Sequence, residues 1–167
     1  IEEIADKIQL MNRRLLDRLR PMALDHLALS EVLGGLISEF QRHGPVPKIT
    51  LSVDNLAARY DDATNITIYR CVQEGITNAL RHAQATSLDV DLRECPVEPR
   101  TKGDLDVRPV LHLSITDDGT GTSLGDTRGL GLTSMEERVR ALGGTISLGP
   151  NPGGRGTRLK VQIPVEN

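Results

Sequence analysis

Aromatic residues are almost missing from this chain of 167 residues, which has one phenylalanine, two tyrosines and no tryptophan. Phe40, Tyr60 and Tyr69 are too few to make stacking platforms for single-stranded nucleic acid. The core must come instead from Leu, Ile, Val and Ala. Cysteine is scarce too. Cys71 and Cys95 fit no zinc spacing. Cys71 stands among apolar residues in a helical pattern and reads as a buried, inert thiol. This usage suits a reducing cytoplasm. No apolar run approaches membrane-spanning length, and residues 1–20 lack the pattern of a secretory signal. Neither sign of charge dominates: 20 Lys and Arg against 23 Asp and Glu leave a net charge of −3. A broad basic footprint is therefore excluded, and no nucleic-acid partner is expected.

Hydrophobic periodicity is what the chain does have. Residues 1–20 place Ile1, Ile4, Ile8, Met11 and Leu15 at alternating spacings of three and four, a heptad seam. An amphipathic helix lying on its own domain and the tail of a dimerising helix both satisfy that pattern. The chain opens on Ile1 inside this pattern, and a piece of a longer protein is the expectation. Pro21 ends or kinks the helix. A second helix is expected from about Ser30, with Leu33, Leu36, Ile37 and Phe40 on its face. "KITLSV" alternates as a strand. Asp62 to Ala83 reads as one long helix, with Ile66, Tyr69, Val72, Ile76, Ala79, Leu80 and Ala83 apolar. "TSLDVDL" and "VLHLSIT" read as strands on either side of a Pro-rich, charged loop at 94–109. "LTSMEERVRALGG" reads as a helix stopped by Gly143 and Gly144. "TISLGP" and "TRLKVQIP" close the chain as a hairpin around "NPGGRG". Short loops between consecutive strands imply mostly antiparallel pairing. The class is α+β: a mixed sheet with its helices on one face.

The stretch "ITDDGTGTSLGDTRGLGL", residues 115–132, concentrates glycine behind two adjacent acids. It is not a Walker A loop, because no G-K-[ST] occurs in the chain. It also misses the spacing of a dinucleotide fingerprint. Two carboxylates would repel a pyrophosphate, so this mouth suits a base or a metal better. A carboxylate only accepts hydrogen bonds, and at a strand end it can take the exocyclic amine of adenine. Gly119 and Gly121 would let the backbone approach the ring. Taken alone, "DDGTG" is equally a turn.

The long helix adds a second polar group. Arg70, Glu74, Asn78 and His82 follow at spacings of four, and Arg81 lies three beyond Asn78. A solvated stripe with an Arg70–Glu74 ion pair is the plain explanation. Yet Asn is a poor helix former, and Gly75 sits mid-helix at a further cost. Both costs hint at function. Glu and Asn one turn apart can offer oxygens to a hard cation, with phosphates completing its shell.

Together these blocks resemble the GHKL superfamily of ATP-binding domains. "EGITNALRH" resembles its N box, "DDGTG" and "RGLGL" its two glycine boxes, and "GGRGT" its final Gly-Thr motif, in family order. "LRPMALDHLALSEVL", "YRCVQEGITNALRHAQA" and "GLGLTSMEERVRALGG" resemble bacterial sensor histidine kinases of the nitrate-sensor and hexose-phosphate-sensor type. The resemblance implies the Bergerat two-layer sandwich over 21–167. It makes residues 1–20 the end of a dimerisation and phosphoacceptor hairpin helix, and so favours the dimerising reading of the heptads. It implies that Asn78 ligates a Mg2+ bridging the phosphates, with Glu74 beside it as metal neighbour and as the carboxylate that orients or deprotonates the attacking group. Arg81 and His82 would be a basic pair near the phosphates. Asp117 would read adenine, with Gly119 and Gly121 giving close approach and Thr157 supporting the base through water. Arg128, Gly129, Leu130, Gly131 and Leu132 would form the rear of a short lid, about Thr122 to Arg128, that orders on ATP. Asp118 stands where many relatives have Asn, and no ligand role is expected of it.

The implied activity is transfer of the γ-phosphoryl of ATP to a histidine, then onward to a response regulator. The whole protein would be a homodimer and a membrane-anchored sensor, with this domain in the cytoplasm. None of His26, His43, His82 or His112 sits in the family's acceptor motif, so this stretch of chain is expected to bind ATP without phosphorylating itself. Two alternatives remain. One is the anti-sigma type of serine kinase, which "SMEERVRALGG" and the N-terminal helix argue against. The other is a nucleotide-controlled dimerisation module without phosphotransfer.

Overall fold

A computed structural model describes residues 27–42, 47–96, 108–121 and 130–166. The heptad segment at 1–20, most of the Pro-rich loop and the lid at 122–129 lie outside the described residues. The elements run in the order α1 (Leu29–Arg42), β1 (Lys48–Asp54), α2 (Asp62–Asn78), β2 (Ser87–Cys95), β3 (Val110–Asp117), α3 (Leu130–Ala141), β4 (Thr145–Pro150) and β5 (Thr157–Pro164). The strands form one sheet in the order β1-β2-β3-β5-β4. Only β1 and β2 pair parallel, because α2 crosses over between them; the other neighbours are antiparallel.

Alternation decides which face of the sheet is covered. Leu88, Val90 and Leu92, Leu111, Leu113 and Ile115, and Leu159, Val161 and Ile163 are all buried. The residues between them are polar: Asp89, Asp91, Arg93, His112, Ser114, Thr116, Lys160 and Gln162. The three helices among the described residues therefore lie on the apolar side, as a two-layer α+β sandwich requires. α1 contributes Val32, Leu33, Leu36, Ile37 and Phe40 to the core, α2 contributes Ile68, Tyr69, Val72 and Ile76, and α3 contributes Met135 and Val139.

Local chemistry sets the helix ends. α1 starts one residue before Ser30, and Glu31 reaches back to the Ala28 amide at 3.0 Å. Asp61 caps α2, its Oδ1 accepting from the Thr64 amide at 2.6 Å. The long helix expected through Ala83 does not stay α-helical. After Asn78 it widens into a π turn, Ala79–Ala83, and stops at Gln84 in the left-handed region, φ 47°. α-helical spacing therefore relates Glu74 to Asn78 but does not carry on to Arg81 and His82.

Gly75 has a packing reason to be glycine. A β-carbon there would stand 2.6 Å from Ile115 Cδ1 and 3.2 Å from Cγ2. α2 thus lies directly on β3, which brings the N-box residues over the end of the strand that carries Asp117.

Candidate nucleotide site

Asp117 closes β3, two residues past Ile115, so strand alternation aims it at the helix layer. It is buried. Its Oδ1 accepts from the Gly119 amide at 2.9 Å and from the Thr157 amide at 3.2 Å. Among the described residues no group bonds Oδ2. Thr157 opens β5 beside it, and its buried hydroxyl has no hydrogen-bond partner. A buried hydroxyl left unpaired is costly, so it marks a place for a ligand or an ordered water. The described residues thus present two adjacent unpaired groups, one acceptor-only and one able to donate or accept.

The neighbouring acid has a different task. Asp118 is exposed, and its carboxylate accepts from the Thr86 amide at 2.8 Å, the Thr86 hydroxyl at 2.6 Å and the Ser87 amide at 2.9 Å. The Thr86 hydroxyl first, then the Ser87 amide, hold its pKa well below the usual carboxylate range. Asp118 straps the start of β2 to the end of β3. These bonds supply a structural reason for an acid at this position.

The Gly-Thr motif works through close approach. Gly156 has φ +108°, and a β-carbon there would lie 1.9 Å from the Asp117 carbonyl oxygen and 2.9 Å from Oδ1. Only glycine lets the β4–β5 loop press against Asp117. Asn151 in the same loop donates from Nδ2 to the Asp117 carbonyl at 3.2 Å. The sequence reading missed Asn151. Its single signal there was an Asn beside a Pro-Gly-Gly turn, which reads only as a loop residue.

The second group of site residues lies along α2. Glu74 and Asn78 are half-buried, one turn apart. The Glu74 carboxylate lies against Gly131, at the first turn of α3. That turn carries no acid of its own, so Glu74 supplies the negative charge a helix N-terminus favours. Arg70 donates to Gln73 at 3.1 Å. Arg81 and the backbone of His82 fall in the π turn. Leu130, Gly131 and Leu132 form the first turn of α3, and Gly121, four residues after Asp117, has φ +78°. Arg128 and Gly129 lie outside the described residues. His112 faces the uncovered side of the sheet, its Nδ1 3.3 Å from Gln162 Nε2, away from both groups.

No group of three or more His, Cys, Asp or Glu that could hold a metal occurs among the described residues. The half-buried pair of Glu74 and Asn78 suits a different arrangement. Mg2+ accepts one or two protein oxygens and takes the rest from phosphates and water. No helix among the described residues is long and apolar enough to cross a membrane.

A five-stranded mixed sheet with its helices on one face, and a buried aspartate beside an unpaired threonine at one end, define a two-layer α+β sandwich with a polar site at the end of β3 and β5. Residues 63–167 match the model of the histidine kinase-, DNA gyrase B- and HSP90-like ATPases, and the chain belongs to that family. The signal transduction histidine-protein kinase/phosphatase UhpB of Salmonella typhimurium is 35% identical over 98% of this chain and 30% of its own length. The methanol utilization control sensor protein MoxY of Paracoccus denitrificans is 32% identical over 95% of this chain and 34% of its own length. The oxygen sensor histidine kinase NreB of Staphylococcus carnosus is 28% identical over 92% of this chain and 41% of its own length. The chain thus spans well under half of each. Among solved structures, the histidine kinase domain of a blue-light activated histidine kinase from Erythrobacter litoralis shares the fold. It has a TM-score of 0.62 at 22% identity, covering 98% of this chain and 74% of that one. The ATP-binding domain of PrrB from Mycobacterium tuberculosis does so with a TM-score of 0.58 at 22% identity, covering 84% of this chain and 96% of that one.

Proposed function

We propose that this domain supplies the γ-phosphoryl group of Mg-ATP to a histidine on a dimerisation domain, for onward transfer to a response regulator. The protein would act as a homodimeric, membrane-anchored sensor kinase with this domain in the cytoplasm. The observation that carries the nucleotide reading is the pairing of Asp117 and Thr157. Two amides occupy Oδ1, which leaves Oδ2 to accept the adenine amine. The orphaned Thr157 hydroxyl takes the water or ring nitrogen beside it.

Asn78 and Glu74 would hold Mg2+, which neutralises charge on the phosphates. Arg81 and His82 add positive charge near them. Gly129 and Gly131 would offer backbone amides to the phosphates. The attacking imidazole is neutral and uses its free nitrogen. A nitrogen–phosphorus bond forms, the bond from the γ-phosphorus to the bridging oxygen breaks, and ADP leaves. Glu74 orients the imidazole or takes its proton. Positioning and charge neutralisation carry the rate, since the domain forms no covalent bond itself.

The test is calorimetric titration of the chain with ATP, ADP and GTP, with and without magnesium, on wild type and Asp117→Asn. The Asp117 geometry fixes the expected result. The two amides will hold the asparagine oxygen at the Oδ1 position and leave its amide nitrogen facing the adenine amine, donor against donor. ATP affinity should fall at least about tenfold, and GTP, which presents a carbonyl there, should not lose affinity. An unchanged preference for ATP over GTP would sink the adenine role. Phosphate transfer to a separately supplied acceptor hairpin would distinguish the kinase from a module that only binds nucleotide.

A further inference from the structure

Asn151 carries more hydrogen bonds than its loop needs. Its backbone amide donates to the Gly156 carbonyl at 3.0 Å, and its carbonyl accepts from the Gly154 amide at 3.2 Å. Its Oδ1 accepts from the Gly153 amide at 2.9 Å. These three bonds already close the turn. The two Nδ2 hydrogens go elsewhere: one to the Arg155 carbonyl at 3.0 Å, the other out of the loop to the Asp117 carbonyl at 3.2 Å. That last bond spans 34 positions of sequence and begins where the β3–β5 ladder has ended, at Thr116↔Arg158.

Three features meet there. The loop presses Gly156 onto the Asp117 backbone, where no β-carbon fits. Thr157, the next residue, gives its amide to Asp117 Oδ1. Asn151 grips the Asp117 carbonyl from the other end of the same loop. The amide orientation is fixed by its partners, with Nδ2 toward two carbonyls and Oδ1 toward an amide. Aspartate cannot substitute, because it has no hydrogen to donate.

We propose that Asn151 is the positioning residue of the adenine pocket: it holds the Asp117 backbone and the Gly156–Thr157 pair in register, so that Oδ2 and the Thr157 hydroxyl face one base. It touches no reacting atom and acts through Asp117. The proposal rests on the reading of Asp117 as the adenine-binding residue.

The experiment measures ATP and GTP affinities, with magnesium, for wild type, Asn151→Ala, Asn151→Asp, Arg155→Ala and Asp117→Asn, with the thermal midpoint of each. The Arg155 side chain is exposed and serves as the control in the same loop. Asn151→Ala removes all three side-chain bonds, and loss of the neutral one to the Asp117 carbonyl predicts a fall in ATP affinity of roughly threefold to tenfold. Asn151→Asp should fall further, because its carboxylate faces the Asp117 carbonyl. In both, GTP affinity should stay within about twofold, so the ATP preference narrows as it does in Asp117→Asn. Arg155→Ala should match wild type. If both Asn151 variants keep the wild-type ATP preference while their midpoints drop, Asn151 is a loop staple and the proposal is wrong. If Asp117→Asn also keeps that preference, the adenine reading itself has failed. Should Asn151→Asp not fold, Asn151→Ala decides alone.

Discussion

The carboxylate of Glu74 and the α-carbon of Gly131 are in contact: a β-carbon on Gly131 would stand 1.9 Å from Glu74 Oε1 and 2.5 Å from Cδ. This contact joins α2 to the first turn of α3. The second glycine box is therefore shaped by a side chain of the N box as well as by any phosphate.

Gly131→Ala should push the Glu74 carboxylate aside while α3 itself gains a better helix former. The cost should nearly vanish when Glu74 is also truncated. A double-mutant cycle of Gly131→Ala and Glu74→Ala, read by urea denaturation, should show a coupling of about 1 kcal/mol. Additive effects would mean that the two residues do not restrain each other.

Gly75→Ala should destabilise the fold by about 1–3 kcal/mol through overpacking, even though alanine is the better helix former. Ile115→Val deletes the Cδ1 atom that stands 2.6 Å from the new methyl. The double variant should therefore be more stable than the sum of the single changes predicts. Thermal unfolding of the four proteins measures this directly.

Asp118 should make part of the stability depend on acid. Its folded pKa is depressed, chiefly by Thr86 and then Ser87. Its contribution is complete above the unfolded value of about 4 and is lost as pH falls below that. Asp118→Asn keeps the two amide bonds, and the Thr86 hydroxyl can reverse to accept. The midpoint of the wild type relative to this variant should therefore decline from pH 5 toward pH 2. A constant difference across that range would show that the strap carries no such linkage.

The two thiols should differ sharply. Cys71 is fully buried, and burial pushes its pKa up to about 12. Cys95 is partly exposed at the end of β2. A disulfide reagent at pH 8 should modify Cys95 in the folded protein and reach Cys71 only on unfolding. Prompt reaction of both in the absence of denaturant would contradict the packing around Cys71.

Much of the architecture was legible as pattern. Alternation in "VLHLSIT" and "TRLKVQIP" marked the covered face of the sheet, and Tyr69, Val72, Ile76 and Ala79 marked the buried side of α2, although Ile66 falls outside the core and Ile68 within it. Those signals repeat every two residues or every turn, so a short window contains them. The acid-bearing end of the glycine stretch closes β3, and Gly131 stands in the first turn of α3; the lid between them lies outside the described residues.

Other assignments needed the tertiary structure. Gly75 and Asn78 looked like two helix costs with one functional cause, yet Gly75 answers to Ile115. The even spacing of Asn78 and His82 assumed an α-helix that turns into a π turn. Asp117 and Asp118 are adjacent and chemically identical, but one faces the helix layer and the other straps β2. Asn151 showed nothing in sequence beyond a turn. In three of these cases the deciding partner lies 30 or more residues away: Ile115 for Gly75, Thr86 for Asp118, Asp117 for Asn151. Periodicity reports which side of an element is buried. Which atom meets which across the core is decided only when the elements pack.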